Sequence, residues 1–334
     1  MDMMELLQRL TAAYGPSGAE GEVSRVIEEL AAPYCDEISR DTMGNLICRK
    51  KGSGPRVMFS AHMDSIGLVA THIEDNGFVR VGAVGGVAPA KVLHIPVRFA
   101  NGQAGVVAAQ ADVEVGKLKL SDLFVDVGAA SGEEAQALVQ VGDVAVFDTK
   151  LVSMAGRVGG PYLDNRASCA VQLMAMSQIE KTDNDLYFVF SVQEELGLRG
   201  AKTAAWTVDP DYGVALDVTP ADDVPGSKHQ VSSVLGGGAA VKVMDGSVIC
   251  HPWMVGKLMA LAGEQGIKAQ RDVIRAGGTD GGAIHLTRGG VPTGGISIPW
   301  RYGHSPMELV DLSDLDACAA LVKAFAQCKL EKEC

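Results

Sequence analysis

The most restrictive feature of this chain is a change of pattern part-way along an α/β alternation. Strand-like and helix-like runs alternate around "PRVMFSAHMD" at 55–64, and again from Asp164 onward. In the second stretch "DLYFVFSV", "YGVALDV" and "AAVKVM" are β-rich, whereas "EELGLRGAKTAAW" and "HPWMVGKLMALAGEQG" are helix-like. This alternation predicts an α/β fold with a mixed, largely parallel sheet sandwiched between helices.

The pattern differs between about Gly67 and Gly156. Short β-rich pieces such as "GFVRVGAV", "HIPVRFA", "AGVVAAQ" and "DVAVFDTKLV" are separated by Gly, Asn and Asp turns. Short strands at this spacing predict a small β-barrel inserted into the α/β domain. We therefore predict one α/β domain from 1–66 and 157–334, and an inserted β-rich domain from 67–156. The stretch "LSDLDACAALVKAFAQCK" predicts a last helix, with Ser313 and Asp316 as its N-terminal capping pattern.

Net charge and hydropathy limit the kinds of molecule that the protein is expected to bind. The formal net charge is -12 and the sequence pI is about 5.0. With no basic run to offset that charge, neither a nucleic acid nor an anionic membrane is expected as a partner. No apolar segment is long enough to span a bilayer, and the start "MDMMELLQRLTAAYG" lacks the regions of a secretory signal. We expect a cytoplasmic protein.

Cysteine and glycine usage exclude two kinds of site. The seven cysteines are odd in number and contain no C-x-x-C pair, which predicts reduced thiols and neither a disulfide framework nor a thiolate zinc site. The glycine-rich runs "GGG" at 236–238 and "GGTDGG" at 277–282 lack the Lys-Ser/Thr or the acidic residue that nucleotide sites need. A nucleotide cofactor is not expected.

Two adjacent acidic residues follow a β-rich run in "FVFSVQEELGLRGA". Glu194 and Glu195 repel each other and are costly to desolvate at the end of a buried strand, so a compensating charge is expected beside them. In "SAHMDSIG", His62 and Asp64 are two residues apart at a strand end, so their side chains point to the same face. Asp64 can then accept a proton from one imidazole nitrogen while the other nitrogen binds a metal.

Three further candidates lie near strand ends, where α/β folds place their sites. Asp164 follows a Gly-rich turn in "GGPYLDNRAS", Asp217 ends the strand of "VALDVTP", and His304 follows the strand "GISIPW". Each residue alone could be a helix cap, a turn residue or a solvated side chain. Together, two histidines and several carboxylates without a thiolate match the ligands of a hydrolytic zinc, cobalt or manganese pair. The other histidines are predicted to be ordinary core or surface residues: His72, His94, His229, His251 and His285.

These motifs occur in order along nearly the whole chain. They are "SAHMD", "KLKLSDLFVDVGAASGEEA", "YLDNR", "QEELGLRGA", "ALDVTP" and "GGTDGGAIHLTRGGVPTGGISIPWRYGHSP". Their succession resembles that of the M42 family of dinuclear metallo-aminopeptidases, of the tetrahedral or TET type. The resemblance implies a role for each candidate: Asp164 bridges two metals, His62 and Asp217 complete one site, Glu195 and His304 complete the other, Glu194 is the general base, and Asp64 is the partner of His62.

The resemblance also implies a function and an assembly. The expected activity is removal of N-terminal amino acids from short peptides, with two divalent ions per subunit, zinc or cobalt first and manganese as an alternative. The PDZ-like insert would be a dimerisation module, and dimers would assemble into a hollow tetrahedral dodecamer. By analogy with related dinuclear peptidases, the Asp164–Asn165 peptide bond is expected to be cis. Thr279 and Asp280 are predicted to line the substrate, with a helix cap as the alternative.

Three other functions compete with this one. A metal-dependent deacylase of small N-acyl amino acids could share the metal site, and activity on N-acetylated against free-amine substrates would separate the two. A glycoside hydrolase could use paired carboxylates, but only 5% of the residues are aromatic and no cluster forms a sugar platform. A non-catalytic assembly protein with a structural metal would have no use for Glu194, which binds no metal in this scheme.

Overall fold

The computed structural model describes residues 1–228 and 230–330. Within these residues, a large mixed β-sheet is covered by helices, and a second group of strands closes into a barrel. The helices are α1 (Met3–Ala12), α2 (Gly21–Ala31), α3 (Gly132–Leu138), α4 (Leu163–Gln178), α5 (Arg199–Val208), α6 (Pro252–Glu264), α7 (Gly281–Ile284) and α8 (Leu312–Gln327).

The strands are numbered along the chain, and the barrel strands interrupt those of the large sheet. The first strands of the large sheet are β1 (Glu37–Arg40), β2 (Leu46–Lys50) and β3 (Arg56–His62). The barrel strands are β4 (Gly67–Ile73), β5 (Val79–Val84), β6 (Pro96–Phe99), β7 (Ala104–Ala109), β8 (Leu123–Asp126) and β9 (Val144–Phe147). The large sheet resumes with β10 (Val152–Met154), β11 (Arg157–Gly160), β12 (Asp185–Ser191), β13 (Tyr212–Pro220), β14 (Ala239–Met244), β15 (Ala269–Val273), β16 (Thr293–Arg301) and β17 (Glu308–Asp311).

The centre of the large sheet is parallel and its margins are mixed. The strand order is β1-β2-β12-β3-β13-β16-β17-β11-β10, and β14 joins β16 while carrying β15. Pairing is parallel along β12, β3, β13 and β16 and between β14 and β15, and antiparallel elsewhere in the sheet. The predicted mixed α/β sheet is confirmed, and its parallel part is concentrated in the strands that carry the candidate site.

The central strands are buried on both faces because helices cover each face. Along β3, Val57 and Phe59 pack into a core that includes residues of α1, α4, α6 and α8, whereas Met58 packs on the other side with residues of α5 and α7. Successive residues of a strand point to opposite faces, so a strand covered on both faces reads as a nearly continuous apolar run. That is the pattern of "RVMFSA" in β3 and of "LYFVF" in β12.

The barrel closes in the order β4-β5-β8-β7-β6-β9, which confirms the inserted small β-barrel. Its interior is filled by small and large apolar side chains that include Leu68, Phe99 and Val125. Tyr14 and Tyr162, from outside the barrel, pack against this cluster and donate to carbonyls of β9. The division into domains at 67 and 156 stays a prediction, and β10, just before its second boundary, pairs in the large sheet.

The predicted last helix is present as α8, but its cap differs from the prediction. Asp311, not Ser313, is the N-cap residue, and its side chain accepts from the Ser313 amide at 3.0 Å and from the Ser313 hydroxyl at 2.6 Å. The prediction is wrong because β17 runs directly into the helix, so the change from extended to helical backbone falls at Asp311.

Among the residues described, none of the helices combines the length and the apolarity that crossing a membrane would require. Six of the seven cysteines lie in the described part of the chain and are free thiols, as predicted, whereas Cys334 lies outside it.

Candidate metal centre

The parallel strands deliver the candidate residues to one edge of the large sheet. His62 is the last residue of β3, Asp217 lies in β13, and Glu194 comes three residues after the end of β12 at Ser191. Ser191 pairs with His62 in the parallel register, so these two strand ends lie side by side. Because the carboxyl ends of parallel strands share an edge, side chains from distant parts of the sequence meet there.

Asp164 lies between two histidines from opposite ends of the chain. Its Oδ1 is 3.1 Å from Nε2 of His62, and its Oδ2 is 3.2 Å from Nε2 of His304. The Asp164–Asn165 peptide bond is cis, as predicted. One carboxylate therefore presents a separate oxygen to each imidazole.

The adjacent glutamates face different histidines. Oε2 of Glu194 is 3.8 Å from Nε2 of His62, whereas Oε2 of Glu195 is 3.7 Å from Nε2 of His304. Oδ1 of Asp217 is also 3.8 Å from Nε2 of His62. The cluster thus has two parts: we call His62 and Asp217 the inner half, and Glu195 and His304 the outer half.

Asp64 supports the inner half and the backbone of both glutamates. It is fully buried, and its carboxylate accepts from the amides of Glu194 at 3.0 Å and Glu195 at 3.3 Å. Nδ1 of His62 is 3.4 Å from Asp64 Oδ1 and 3.2 Å from the Asp64 carbonyl oxygen. The Ser17 hydroxyl donates to Asp64 Oδ2 at 2.6 Å. Sequence reasoning missed Ser17, because "GPSGAEGE" reads as an ordinary turn.

Glu308 supports the outer half and was also missed. It is the first residue of β17, and 2% of its surface is exposed. One carboxylate oxygen accepts from the amide of Asp164 at 2.8 Å, and the other accepts from the amide of His304 at 3.0 Å. The available signal was an acidic residue inside the β-rich run "MELV", where a buried strand position normally holds an apolar side chain.

Burial dominates the electrostatics of the carboxylates. Desolvation raises the pKa of Glu194 and of Asp217 well above the ordinary range, and it raises the pKa of Glu195 to about 7. The pKa of Asp164 is also pushed up by burial, but its hydrogen bonds with His304 and His62 outweigh this effect and leave it lowered. Clustered carboxylates of this kind favour positive charge among them.

The same carboxylates raise the pKa values of both histidines. Burial lowers the pKa of His62, but the negative charges of Glu194, Asp164 and Asp64 outweigh burial and raise the pKa well above 6.5. The hydrogen bond with Asp164 raises the pKa of His304 to about 9. Both imidazoles therefore lie in a negative potential that would equally stabilise a bound cation.

The residues present fit a divalent metal. Ligand atoms of His62, Asp164 and Glu195 all lie within 4.8 Å of one another. Oε1 of Glu195 is buried and has no hydrogen-bond partner, which leaves a carboxylate oxygen free to bind an ion. Imidazole and carboxylate donors without thiolate suit zinc, cobalt or manganese.

The cluster opens into a cavity of about 1020 Å³. Its lining includes His62, Asp164, Glu194, Glu195, Asp217 and His304. A cavity of this volume can hold several residues of an extended peptide or a compact small molecule.

Thr279 and Asp280 lie behind the cavity wall. The Thr279 hydroxyl donates to Asp245 Oδ2 at 3.1 Å, and Asp280 Oδ2 accepts from the hydroxyls of Ser60 and Ser191, both at 2.6 Å. The part of this segment that lines the cavity is 276–278, ahead of both predicted residues. Their side chains are turned into the protein because Asp280 precedes α7, which packs on the sheet.

The other histidines among the described residues are outside the cluster. His72, His94 and His251 are exposed, and the ring of His285 contacts the carbonyl of Gly281 at 2.9 Å. His229 lies outside the described residues.

The model of the M42 glutamyl aminopeptidase family matches residues 44–321. The chain belongs to this family. Membership confirms the resemblance read from the motifs, and it makes the protein a peptidase, hence a hydrolase, of a family that uses divalent metal.

Individual M42 relatives cover nearly the full chain. The lysyl aminopeptidase of Pyrococcus furiosus is 35% identical over 341 residues, 97% of this chain and 96% of the relative. Aminopeptidase APDkam598 from the archaeon Desulfurococcus kamchatkensis superposes with a TM-score of 0.94 at 41% identity, over 97% of this chain and 94% of that one. The TET1 peptidase of Pyrococcus horikoshii, which can assemble into a tetrahedron or a large octahedral shell, gives a TM-score of 0.89 at 31% identity, over 98% and 99%.

Proposed function

We propose that this protein is a dinuclear metallo-aminopeptidase that removes N-terminal amino acids from short peptides. The observation that carries the proposal is the position of Asp164, whose two oxygens face two imidazoles from different ends of the chain. A carboxylate that bridges two metal ions must present one oxygen to each ion, and the two oxygens of Asp164 have this arrangement relative to the two imidazoles.

Each half of the cluster would hold one ion. His62 and Asp217 would bind the first, Glu195 and His304 the second, and Asp164 both. The donor set favours zinc or cobalt, with manganese as the third choice. When bound, a pair of divalent ions lowers the pKa of a water molecule and polarises the scissile carbonyl.

In this scheme Glu194 holds no ion, and we assign it as the general base. It would take a proton from the attacking water and deliver it to the leaving amine. Desolvation raises its pKa, which makes it a stronger base than a solvated carboxylate. Asp64 holds the Glu194 amide at 3.0 Å, so the base is attached to a buried, hydrogen-bonded support.

Membership of an aminopeptidase family favours the aminopeptidase over the deacylase alternative. With two divalent ions bound, the charges of Asp164, Glu194, Glu195 and Asp217 are offset, so the net charge of the centre does not separate a free-amine substrate from an N-acylated one. A direct assay of the two substrate classes separates them.

We also propose that the chain self-associates, as its TET1 relative does. Five large apolar side chains between residues 67 and 156 are substantially exposed: Val106, Val115, Val141, Val152 and Met154. Contact with another copy would cover such surface. Light scattering should find an assembly larger than a monomer, whereas an active monomer would contradict this part of the proposal and leave the chemistry standing.

The test of the activity is a metal-refill assay. The protein is stripped with a chelator, refilled with zinc, cobalt or manganese, and assayed for p-nitroaniline release from free-amine aminoacyl p-nitroanilides and for acetate release from N-acetyl amino acids. Release of p-nitroaniline that disappears on stripping and returns on refilling is the expected result. Metal-dependent release of acetate without release of p-nitroaniline would establish the deacylase instead.

A further inference from the structure

Apart from the carboxylate and imidazole cluster, the cavity wall is largely apolar. Leu198, Val218, Val224, Ile274 and Trp300 all line it. Val218 follows the candidate ligand Asp217, and Leu198 is three residues after Glu195, so this apolar wall begins beside the cluster in sequence. A substrate residue held by its amine at the cluster would therefore have apolar protein next to its side chain.

One segment of the wall leaves room for a side chain. Ala276, Gly277 and Gly278 line the cavity and carry a methyl group or no side chain at all. A Cβ added at Gly278 would lie 3.1 Å from the Cβ of Ser247, which also lines the cavity, so a larger residue at 278 would crowd this part of the wall.

Both basic side chains that line the cavity already have hydrogen-bond acceptors. Arg301 lines the cavity, but its Nε and Nη2 donate to the two oxygens of Asp223 at 2.7 and 2.6 Å. Such a bidentate pair satisfies both partners. Lys91 belongs to the barrel, and its Nζ donates to the carbonyl of Gly303, the residue before His304. Among the described lining residues, the acidic ones all belong to the cluster.

We infer that the enzyme prefers peptides whose first residue is uncharged and apolar, such as leucine. This inference rests on the proposed aminopeptidase function and names its substrate class. An acidic first residue would meet an arginine already neutralised by Asp223 and a lysine, Lys91, whose ammonium already donates to a carbonyl. A basic first residue would find no carboxylate on the wall outside the metal centre. Desolvating either charge without a partner is unfavourable, whereas an aliphatic side chain gains by leaving water.

The first experiment compares leucyl, glutamyl and lysyl p-nitroanilides on the metal-refilled enzyme. The leucyl substrate should have the highest kcat/KM, by about tenfold or more, a ratio within the reach of an apolar pocket. A glutamyl or lysyl substrate that equals or exceeds it would overturn this inference alone. Failure to hydrolyse any of the three would overturn both the inference and the proposed function.

Asp223→Asn tests the compensated charge directly. Asparagine keeps an oxygen for Arg301 but removes the neutralising charge, so the leucyl-to-glutamyl ratio of kcat/KM should fall by about three- to tenfold. The matched control is Asp209→Asn, which removes the same charge from a half-buried pair with Arg56 that does not line the cavity. An equal ratio in the two variants would overturn the role of the Arg301–Asp223 pair.

Val224→Lys provides a second variant, because Asp223 also accepts from the Leu235 amide and its replacement could disturb that loop. Val224 is half-buried, so a lysine there adds a cation to the wall without touching the Arg301 pair. The leucyl-to-glutamyl ratio should again fall. If the ratio does not fall, and if Lys91→Met instead removes activity on the glutamyl substrate, then Lys91 recognises the acidic side chain. The inference would then be wrong.

Discussion

The two halves of the candidate metal centre are built in different ways. His62 ends a central strand and is 2% exposed, whereas His304 lies in a loop after β16 with φ 52° and a side chain that is 36% exposed. The inner half is therefore fixed by strand register. The outer half depends on a loop whose conformation must be held by side-chain contacts.

The supports of the two halves differ accordingly. Asp64 holds His62 from within a network that includes Ser17 and the amides of both glutamates. The outer half is tied to the rest of the centre through Glu308, which accepts from the amides of Asp164 and His304. A site made by strands is rigid before any ion binds, whereas a site made by a loop needs such a tie. We expect the outer half to bind metal more weakly.

The most severe test replaces the histidine of each half. His62→Ala and His304→Ala should each remove one of the two proposed ions, and activity should fall to background because the carbonyl and the water need both. Metal analysis after dialysis should find about half the wild-type content in each variant. Loss of both ions from His62→Ala but of only one from His304→Ala would show that the outer site depends on the inner one. Unchanged metal content in either variant would contradict the ligand assignment.

Replacing each of the two neighbouring glutamates by glutamine distinguishes the general base from the metal ligand. Glu194→Gln should reduce kcat by roughly 10²- to 10⁴-fold while metal content stays at the wild-type level, since the lost group is a general base. Glu195→Gln should instead lower the metal content of the outer half. Metal analysis and kinetics on the same preparations check both statements. The reverse pattern would show that the roles of the two residues are exchanged.

Glu308→Gln is expected to weaken the outer site without emptying it. Glu308 accepts hydrogen bonds from two backbone amides, one on each carboxylate oxygen. Glutamine has one oxygen that can accept and an NH2 group that can only donate, so one of the two amides loses its acceptor. Loss of such an orienting partner should weaken metal binding at the outer site by about 10- to 100-fold. Competitive titration against a chelator measures each site, and Asp64→Asn should produce the corresponding loss at the inner site.

Two controls distinguish this effect from general destabilisation. Glu133→Gln, at an exposed position of α3, should leave both affinities unchanged. In Glu308→Gln the inner site should keep its affinity. Equal weakening of both sites would mean that Glu308 stabilises the fold as a whole and does not position the outer half.

The smallest predicted effect is the pH dependence of the stability of the metal-free protein. The pKa of His304 is raised from 6.5 to about 9 by its hydrogen bond with Asp164, so its protonated form stabilises the fold. That contribution is fully present below pH 6.5 and is lost as the pH rises through about 9. Burial raises the pKa of Glu195 from 4.5 to about 7, so the stability from its proton is lost between about pH 4.5 and 7, before that of His304. Stability should therefore fall with rising pH in this window.

Thermal melts of stripped protein from pH 6 to 9.5 measure this dependence. His304→Ala should show a shallower decline than the wild type. The metal-loaded protein should not follow the same curve, because a bound ion keeps the imidazole deprotonated. A metal-free wild type that gains stability with rising pH would contradict the charge balance described for the outer half.

Much of the fold was predictable from local pattern. The apolar runs of β3 and β12 indicate strands that are buried on both faces, and the short pieces separated by turns indicate the strands of the insert. Each element could be predicted from its own residues, because the periodicity of side-chain burial is a local property. The last helix was predictable for the same reason. Its cap was not, since choosing Asp311 over Ser313 requires knowing where β17 ends.

For the candidate centre, the sequence by itself determined the residue types and their positions near strand ends. The prediction that Asp217 ends its strand is wrong, because β13 continues to Pro220 by pairing with β16. His62, Asp164, Glu194, Glu195, Asp217 and His304 stand in contiguous motifs, and the structure brings all six to one cavity. Their roles as ligands and base remain predictions that the variants above test.

Only the tertiary structure decided which residues support that cluster and which line the cavity. Glu308 lies 144 residues from Asp164, and Ser17 lies 47 from Asp64, so no local pattern connects them. Likewise, the segment before α7 lines the cavity through 276–278, whereas Asp280 is turned toward Ser60, 220 residues away. Local sequence fixes what a side chain can do chemically. The partner that satisfies a buried polar group is fixed by the packing of strands and helices that are far apart along the chain.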